Sequence, residues 1–143
     1  MKIYSVTAII HASPAVIWSL LTDSRRYPEW NTTVNRIEGT IALGEQIKVY
    51  AKISPDRAFP VKVTAFESEQ AMIWQSGMPL GLFKGVRTYR LTPEANNNGG
   101  PVEFHMSEVF SGLLSPLILP SIPDLTEPFE AFAACLKAKA EGV

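Results

Sequence analysis

With 143 residues, the chain is long enough to bury a sizeable core and too short for two ordinary domains, so residues 1–143 are expected to form a single unit. A composition 46% apolar and 19% charged, with a formal net charge of -1, gives no electrostatic footing for nucleic acid or an anionic membrane surface. The longest apolar stretch, around residues 113–119, is broken by Ser115 and Pro116 and falls well short of the roughly 20 residues that a membrane span needs.

In chain order, residues 2–11 are rich in Ile, Val, Tyr and Thr and predict a first strand. This N-terminal stretch lacks a small-residue cleavage site, so it is read as a strand and not a leader, and the expected location is the cytoplasm. Ser13 followed by Pro14 is a helix start: the hydroxyl accepts an orphan backbone N–H, and proline tolerates the position where its missing N–H costs nothing. Val16, Ile17, Leu20 and Leu21 then form one apolar face of a helix ending near Thr22. Next comes "DSRRYPEWN", residues 23–31, in which Asp23 or Ser24 is expected to cap a second short turn and Pro28 to limit it. This corner delivers Tyr27 and Trp30 to the edge of the sheet that follows.

From Thr33 onward the period changes to two. Ile47, Val49, Ala51 and Ile53 alternate with Lys48, Tyr50 and Lys52, and Val61, Val63 and Ala65 alternate with Lys62 and Thr64, each predicting a strand with one dry face. "SPDRAFP" between them is read as the turn. Met72, Ile73 and Trp74 begin another strand, and "SGMPLGLFKG", residues 76–85, is read as a glycine-containing loop. Residues 86–91 and 102–110 complete the strands, with a polar hairpin loop between them. Leu125, Phe129, Phe132 and Leu136 recur at helical spacing in a C-terminal helix for which Thr126 is the expected cap. One strand, two short helices, about six antiparallel strands and one long amphipathic helix predict an α+β domain in which the helix covers one face of a curved sheet.

The last strand carries the main chemical signal. Its even positions, Val102, Phe104, Met106, Glu108 and Phe110, are apolar except for Glu108, which therefore lies on the face that should be dry. A carboxylate there needs a partner, because burying it ionised and alone is costly. Pairing Leu91 with Phe104 sets Tyr89 opposite Met106 and Arg87 opposite Glu108; a slip of one residue would throw Tyr89 and Leu91 onto the wrong face. Two readings of the pair stand side by side: a polar group inside an apolar cavity, orienting a ligand, or a structural ion pair at the end of the sheet. His105 and His11 are expected to face solvent, and Cys135 to serve as a small core hydrophobe. The two histidines and one cysteine lack metal-ligand spacing, so no metal and no cofactor are expected. Nucleophile-elbow, phosphate-loop and dinucleotide glycine patterns are also missing from the sequence.

"ASPAVIWSLLTDSRRYPEWN" resembles the opening of the START-like, SRPBCC superfamily, in the group of polyketide cyclase/dehydrase and lipid transport proteins that shares its fold with the birch pollen allergen. The matching residues are Ala12, Pro14, Val16, Trp18, Asp23, Tyr27, Pro28, Trp30 and Asn31, with the Val–Trp spacing loosened by Ile17. "FHMSEVFSGLLSPL", residues 104–117, is similar to the family's last strand with its Glu, aromatic residue and Gly. The resemblance implies a helix-grip fold: a strongly bent seven-stranded antiparallel sheet wrapped around the C-terminal helix, two short helices closing one end, and an internal cavity for an apolar or amphipathic small molecule. "LLSPLILPSIPDLTEPF" holds four prolines where relatives often enter the helix sooner, so this helix is expected to be delayed, with the preceding segment placed as a lid or mouth beside residues 76–85.

Trp30, Trp74, Phe83, Tyr89, Met106, Phe110, Leu113, Phe129 and Phe132 are the candidate lining, and Arg87 with Glu108 the polar end. The leading function is noncatalytic binding or carriage of a small hydrophobic molecule. The alternative is a cyclase, dehydratase or aromatase-type enzyme in which Glu108 acts as general acid or base with a raised pKa, Arg87 stabilises enolate charge and Tyr89 assists proton transfer. A third class is a protein–protein interaction module using exposed apolar surface at residues 113–122, which homodimerisation would also hide, so that monomer and homodimer are both open.

Overall fold

The computed structural model describes residues 1–94 and 100–142, so the middle of the expected hairpin loop at residues 92–101 lies outside the described residues. Among these residues seven strands form one antiparallel sheet: β1 Lys2–Ile10, β2 Val34–Glu38, β3 Gln46–Ala51, β4 Ala58–Glu67, β5 Ala71–Met78, β6 Phe83–Pro93 and β7 Val102–Ser111. Their spatial order is β1-β7-β6-β5-β4-β3-β2, so the first strand closes onto the last. Helices α1 Pro14–Thr22 and α2 Tyr27–Trp30 follow β1, the short α3 Ser115–Ile118 follows β7, and α4 Thr126–Glu141 ends the chain. This is the helix-grip arrangement.

Two bulges bend the sheet. Val63 faces Trp74 while Ala65 faces Ile73, and Val34 faces Ala51 while Arg36 faces Tyr50, leaving Thr64 and Asn35 as extra residues. An inserted residue tightens the local twist and curls the strand, here toward the side that α4 fills. Each bulge also resets which side chains point inward. Beyond Thr64 it is Phe66, paired with the fully buried Met72, that packs against the core, and not Ala65 as strict alternation predicts. In β2, Val34 and Ile37 are the buried residues, three apart rather than two.

Other boundaries differ from expectation for local reasons. Strand β3 stops at Ala51 and Ile53 lies in the turn, while Ala58, Phe59 and Pro60, expected in that turn, already belong to β4. Most of the expected loop at residues 76–85 is a hairpin, because β5 and β6 run on to pair Met78 with Phe83. Ser13 caps α1 as expected, its hydroxyl 3.2 Å from the Val16 N–H. At α4 the cap position is Leu125 and not Thr126, which is the first helical residue; no side chain caps the helix from that position, and one residue earlier the Asp124 carboxylate accepts from the Thr126 N–H at 2.9 Å and from its hydroxyl at 2.7 Å. Asp23 holds the cap position of the turn at Ser24–Arg26 through its backbone carbonyl, 3.2 Å from the Arg26 N–H, without a side-chain cap bond, and the Ser24 hydroxyl donates to the Gly39 carbonyl at 2.7 Å, tying the corner to the end of β2.

Helix α4 buries Phe129, Phe132, Ala133, Leu136 and Ala140, a stripe at three- and four-residue spacing, against the concave face. Its delayed start leaves residues 112–125 to cross beside the β5–β6 hairpin, where the Leu113 and Leu114 N–H groups donate to the Gly81 and Leu82 carbonyls at 3.1 and 2.7 Å. Gly112 makes that crossing possible. Its φ is +122°, and a Cβ there would sit 2.6 Å from the Leu82 carbonyl oxygen. Gly112→Ala should therefore destabilise the fold by more than about 1 kcal/mol, measured as a lowered urea midpoint at unchanged slope.

Candidate functional site

The site grows from the register of three strands. Arg87 pairs with Trp74 on one side and Glu108 on the other, and Tyr4 faces Glu108 from β1. The β6–β7 register read from the sequence is the observed one, with Arg87 opposite Glu108, Tyr89 opposite Met106 and Leu91 opposite Phe104. Arg87 Nε donates to Glu108 Oε1 at 2.6 Å, with the two side chains 24% and 13% exposed. The guanidinium also lies over the Phe129 ring of α4, 4.9 Å from its centroid, which adds a cation–π contact.

Burial works to lower the Arg87 pKa, but the facing Glu108 and neighbouring Tyr89 outweigh it and the net shift is upward, so Arg87 remains a cation. The fully buried Tyr89 hydroxyl sits beside the Arg87 guanidinium and interacts with it. Burial pushes its pKa up to about 12, against a smaller lowering by Arg87.

Away from this polar end the inner face is aromatic. Phe132 is the hub: its ring lies 5.6 Å from Trp30, 5.9 Å from Tyr89, 6.2 Å from Phe104 and 6.4 Å from Tyr27. Trp74 packs edge-on to Tyr89 at 4.8 Å, and Tyr27 is 4.9 Å from Trp30. On the Glu108 side, Phe83 stacks on Phe110 at 5.9 Å, and Tyr4 joins Phe110 and Phe129 at 6.3 and 5.9 Å. Gly85 leaves room for this arrangement, since a Cβ there would meet Phe110 at 3.1 Å.

In this interior Trp30 Nε1, Asn31 Nδ2 and Trp74 Nε1 have no hydrogen-bond partner among the described residues. Their neighbours are well satisfied. The Tyr27 hydroxyl donates to the Leu21 carbonyl at 2.6 Å, and Asn31 Oδ1 accepts from the Thr33 N–H and hydroxyl at 2.8 and 2.7 Å. Thus "DSRRYPEWN" closes the end of the core through Tyr27, Trp30 and Asn31, while Arg26 pairs with Glu29 at the surface.

The structure brings together Trp30, Trp74, Arg87, Tyr89, Met106, Glu108, Phe110, Phe129 and Phe132 on the inner side, with Phe83 at its edge. Leu113 is not among them. It is 81% exposed, because the reversal at Gly112 turns it outward next to the equally uncovered Leu80 and Leu117. Sequence reasoning passed over Tyr4 and Asn31 as site residues. Tyr4 enters only once β1 is paired with β7, and Asn31 looks like an ordinary turn residue until its burial is known. His105 lies on the outer face, its Nδ1 2.9 Å from the Thr7 hydroxyl. The half-buried Cys135 packs against the core with Sγ 3.5 Å from Thr32 Oγ1. A groove of about 730 Å³ opens along the flank of α4, between Thr32, Thr33, Lys52 and Ile53 on one side and Pro128, Ala131 and Ala134 on the other.

A family model described as polyketide cyclase/dehydrase and lipid transport matches residues 1–141. The chain belongs to this family. Solved structures agree at the level of fold. A hypothetical protein from Helicobacter pylori superposes with a TM-score of 0.76 at 12% identity, covering 97% of this chain and 88% of that one. A START superfamily protein from Mycobacterium smegmatis gives 0.70 at 17% identity, covering 98% and 97%, and truncated norcoclaurine synthase from Thalictrum flavum gives 0.69 at 15%, covering 96% and 92%. No curated protein matches the chain by sequence. Among the described residues no helix is long and apolar enough to cross a membrane.

The buried phenols set an alkaline limit for this family member. The Tyr89 pKa is raised from 10.0 to about 12 and that of Tyr27 is also raised, chiefly by burial, so both stabilise the fold fully below pH 10 and lose that contribution as pH rises through the folded values. Tyrosinate absorbance should show two of the four tyrosines ionising only together with loss of near-UV circular dichroism, and Tyr89→Phe should make alkaline unfolding less steep in pH.

Proposed function

We propose that this protein binds and carries a small apolar or amphipathic molecule between the concave sheet and α4, within one domain spanning the chain. The observation that carries this reading is the Arg87–Glu108 pair, set on the dry face of the sheet among aromatic rings instead of on the outer surface. A bound molecule would lay its apolar body against the rings around Phe132 and turn its polar end toward Arg87. The family description, which includes lipid transport, supports the same class of ligand.

The cyclase or dehydratase reading asks Glu108 to offer a free carboxyl group. Its Oε1 is engaged by the guanidinium at 2.6 Å, and Arg87 stays charged, so the pair is built to position and not to shuttle a proton. A synthase is among the proteins of similar fold, but at 15% identity it supports fold alone.

A second role has its own support. Leu80, Leu113 and Leu117 are 91%, 81% and 77% exposed, and the Leu113–Gly81 backbone bond holds the two segments together at one end of the molecule. Leu80 also has a φ of +61°, a costly conformation for a leucine that packs on nothing. This end is an interaction surface, with a second copy of the chain as its simplest occupant.

Native mass spectrometry of protein purified without detergent, followed by organic extraction, should reveal a stoichiometric apolar compound that is lost in Arg87→Met/Glu108→Leu. Recovery of the bare polypeptide, with no thermal stabilisation across a panel of lipids and aromatic compounds, would sink the carrier reading. For the surface, light scattering should give a dimer that Leu113→Glu/Leu117→Glu dissociates; a wild-type monomer at high concentration removes the self-association role.

A further inference from the structure

The first strand leaves one side of its backbone open. Just beyond the last β6–β7 pair, Pro93 with Val102, the Glu94 N–H donates to the Pro101 carbonyl at 3.1 Å. Backbone groups of successive strand residues point alternately to the two flanking strands, so β7 turns its odd-numbered residues to β6 and its even-numbered ones to β1. The even-numbered residues of β1, which face them from Lys2 to Ile10, are thereby engaged. Ile3, Ser5, Thr7, Ile9 and His11 direct their N–H and carbonyl groups to the free side. Two contacts agree with this parity: Lys137 of α4 donates to the Ile9 carbonyl at 2.6 Å, and Glu141 accepts from the His11 N–H at 2.8 Å. Helix α4 thus caps the far end of the edge. Among the described residues nothing bonds the backbone of Ile3, Ser5 or Thr7 on that side.

Open strand edges recruit other strands, and proteins blunt them with bulges, prolines, charges or short length. The other edge of this sheet, β2, has five residues and a bulge at Asn35. By contrast β1 has nine residues in one unbroken register, and residues 3–10 include neither a proline nor a charge. Ser5 and Thr7 are exposed, and so is Ile3, at 55%. We infer that β1 docks on β1 of a second copy of this chain, antiparallel about a two-fold axis at Ser5, joining two seven-stranded sheets into one. In that register Ile3 pairs with Thr7 of the second copy and Ser5 with its own equivalent, each pair exchanging both backbone bonds. Tyr4 comes to lie beside Val6 on the concave side, Ile3 gains an apolar neighbour in the Thr7 methyl, and Lys2 falls opposite Ala8, so no like charges meet. A shift of two residues one way calls on the Ile9 carbonyl, already held by Lys137, and a shift the other way runs past Lys2, where β1 begins. The two α4 caps fall at opposite ends of the paired segment and leave its centre clear. A foreign strand would offer the same backbone bonds without this side-chain match. With five residues a side, against the roughly 20–30 of a standard interface, the dimer is weak and reversible. It uses no residue of the leucine end and is independent of the carrier reading.

The test uses the full chain carrying Leu113→Glu/Leu117→Glu, so that the leucine end contributes nothing. Its 15N amide spectrum is followed with concentration up to about 1 mM, where a weak pair populates. The expected result is that the Ile3, Ser5 and Thr7 amides shift and gain protection from hydrogen exchange as concentration rises, while those of β2 stay fixed. Ser5→Pro removes an N–H that points to the free side, a place where an edge strand tolerates proline, and should weaken pairing about tenfold or more with the fold retained. The axis is tested by charge. Ser5→Lys and Ser5→Glu, each at an exposed position, should remain monomeric alone, and a mixture of the two should pair. No concentration dependence up to about 1 mM, or shifts confined to β2, would overturn the inference. Pairing that persists in Ser5→Pro, or that Ser5→Lys and Ser5→Glu each show alone as strongly as in mixture, would overturn it as well.

Discussion

One long helix, with only two short ones beside it, has to dry the concave side of a seven-stranded sheet, and nearly everything else about this protein follows from that requirement. Among the described residues, α4 is the single long helix, and its buried stripe is narrow. The side chains it meets must therefore be large, and Phe132 shows how: rings from the α2 corner, β6 and β7 converge on it from different elements. Burying a phenylalanine at such a point contributes about 2–3 kcal/mol. The inner residues consequently have two duties, to fill the grip of the helix and to define what else fits inside it.

The same constraint explains why the polar residues of the inner face lie where they do. Arg87 and Glu108 sit where the sheet meets the first turns of α4, close enough to solvent that both side chains keep some exposure. A pair placed deeper, near Phe132, would bear a larger desolvation cost than its mutual attraction returns. At its observed depth the pair keeps an oriented charge at the edge of the apolar core. The neutral donors, indoles and phenol, lie further in, where an ion would be too costly.

Much of this was legible in the sequence, and the parts that were not share a cause. The Arg87–Glu108 pairing could be read because a single hairpin register satisfies both the apolar and the charged positions. The Ala12–Pro14 start and the Tyr27-Pro28-x-Trp30 corner carried the fold through resemblance. Period-two alternation failed at Thr64 and Asn35, where a bulge shifts the pattern by one residue without leaving a distinctive composition. Leu113 was misplaced because an apolar residue after a strand looks buried until the positive φ of Gly112 is known. The unsatisfied indoles were invisible for a deeper reason: hydrogen-bond satisfaction belongs to a three-dimensional neighbourhood, and no spacing along the chain records it.

The closure of β1 onto β7 also bears on how the molecule comes to exist. Residue 2 faces residue 110, so the first strand synthesised waits for nearly the last before it has a neighbour. Contacts of such long sequence separation require a large loss of chain entropy before they return any stabilisation, and they slow folding. In the interval β1 is an unpaired edge of alternating apolar residues, open to wrong pairings with other chains. The charged Lys2 at its start and the "HASP" break at its end bound that edge. The grip on the helix is thus assembled late: β1 joins the sheet only once β7 is in place, and even then β1 and β2 remain its two edges.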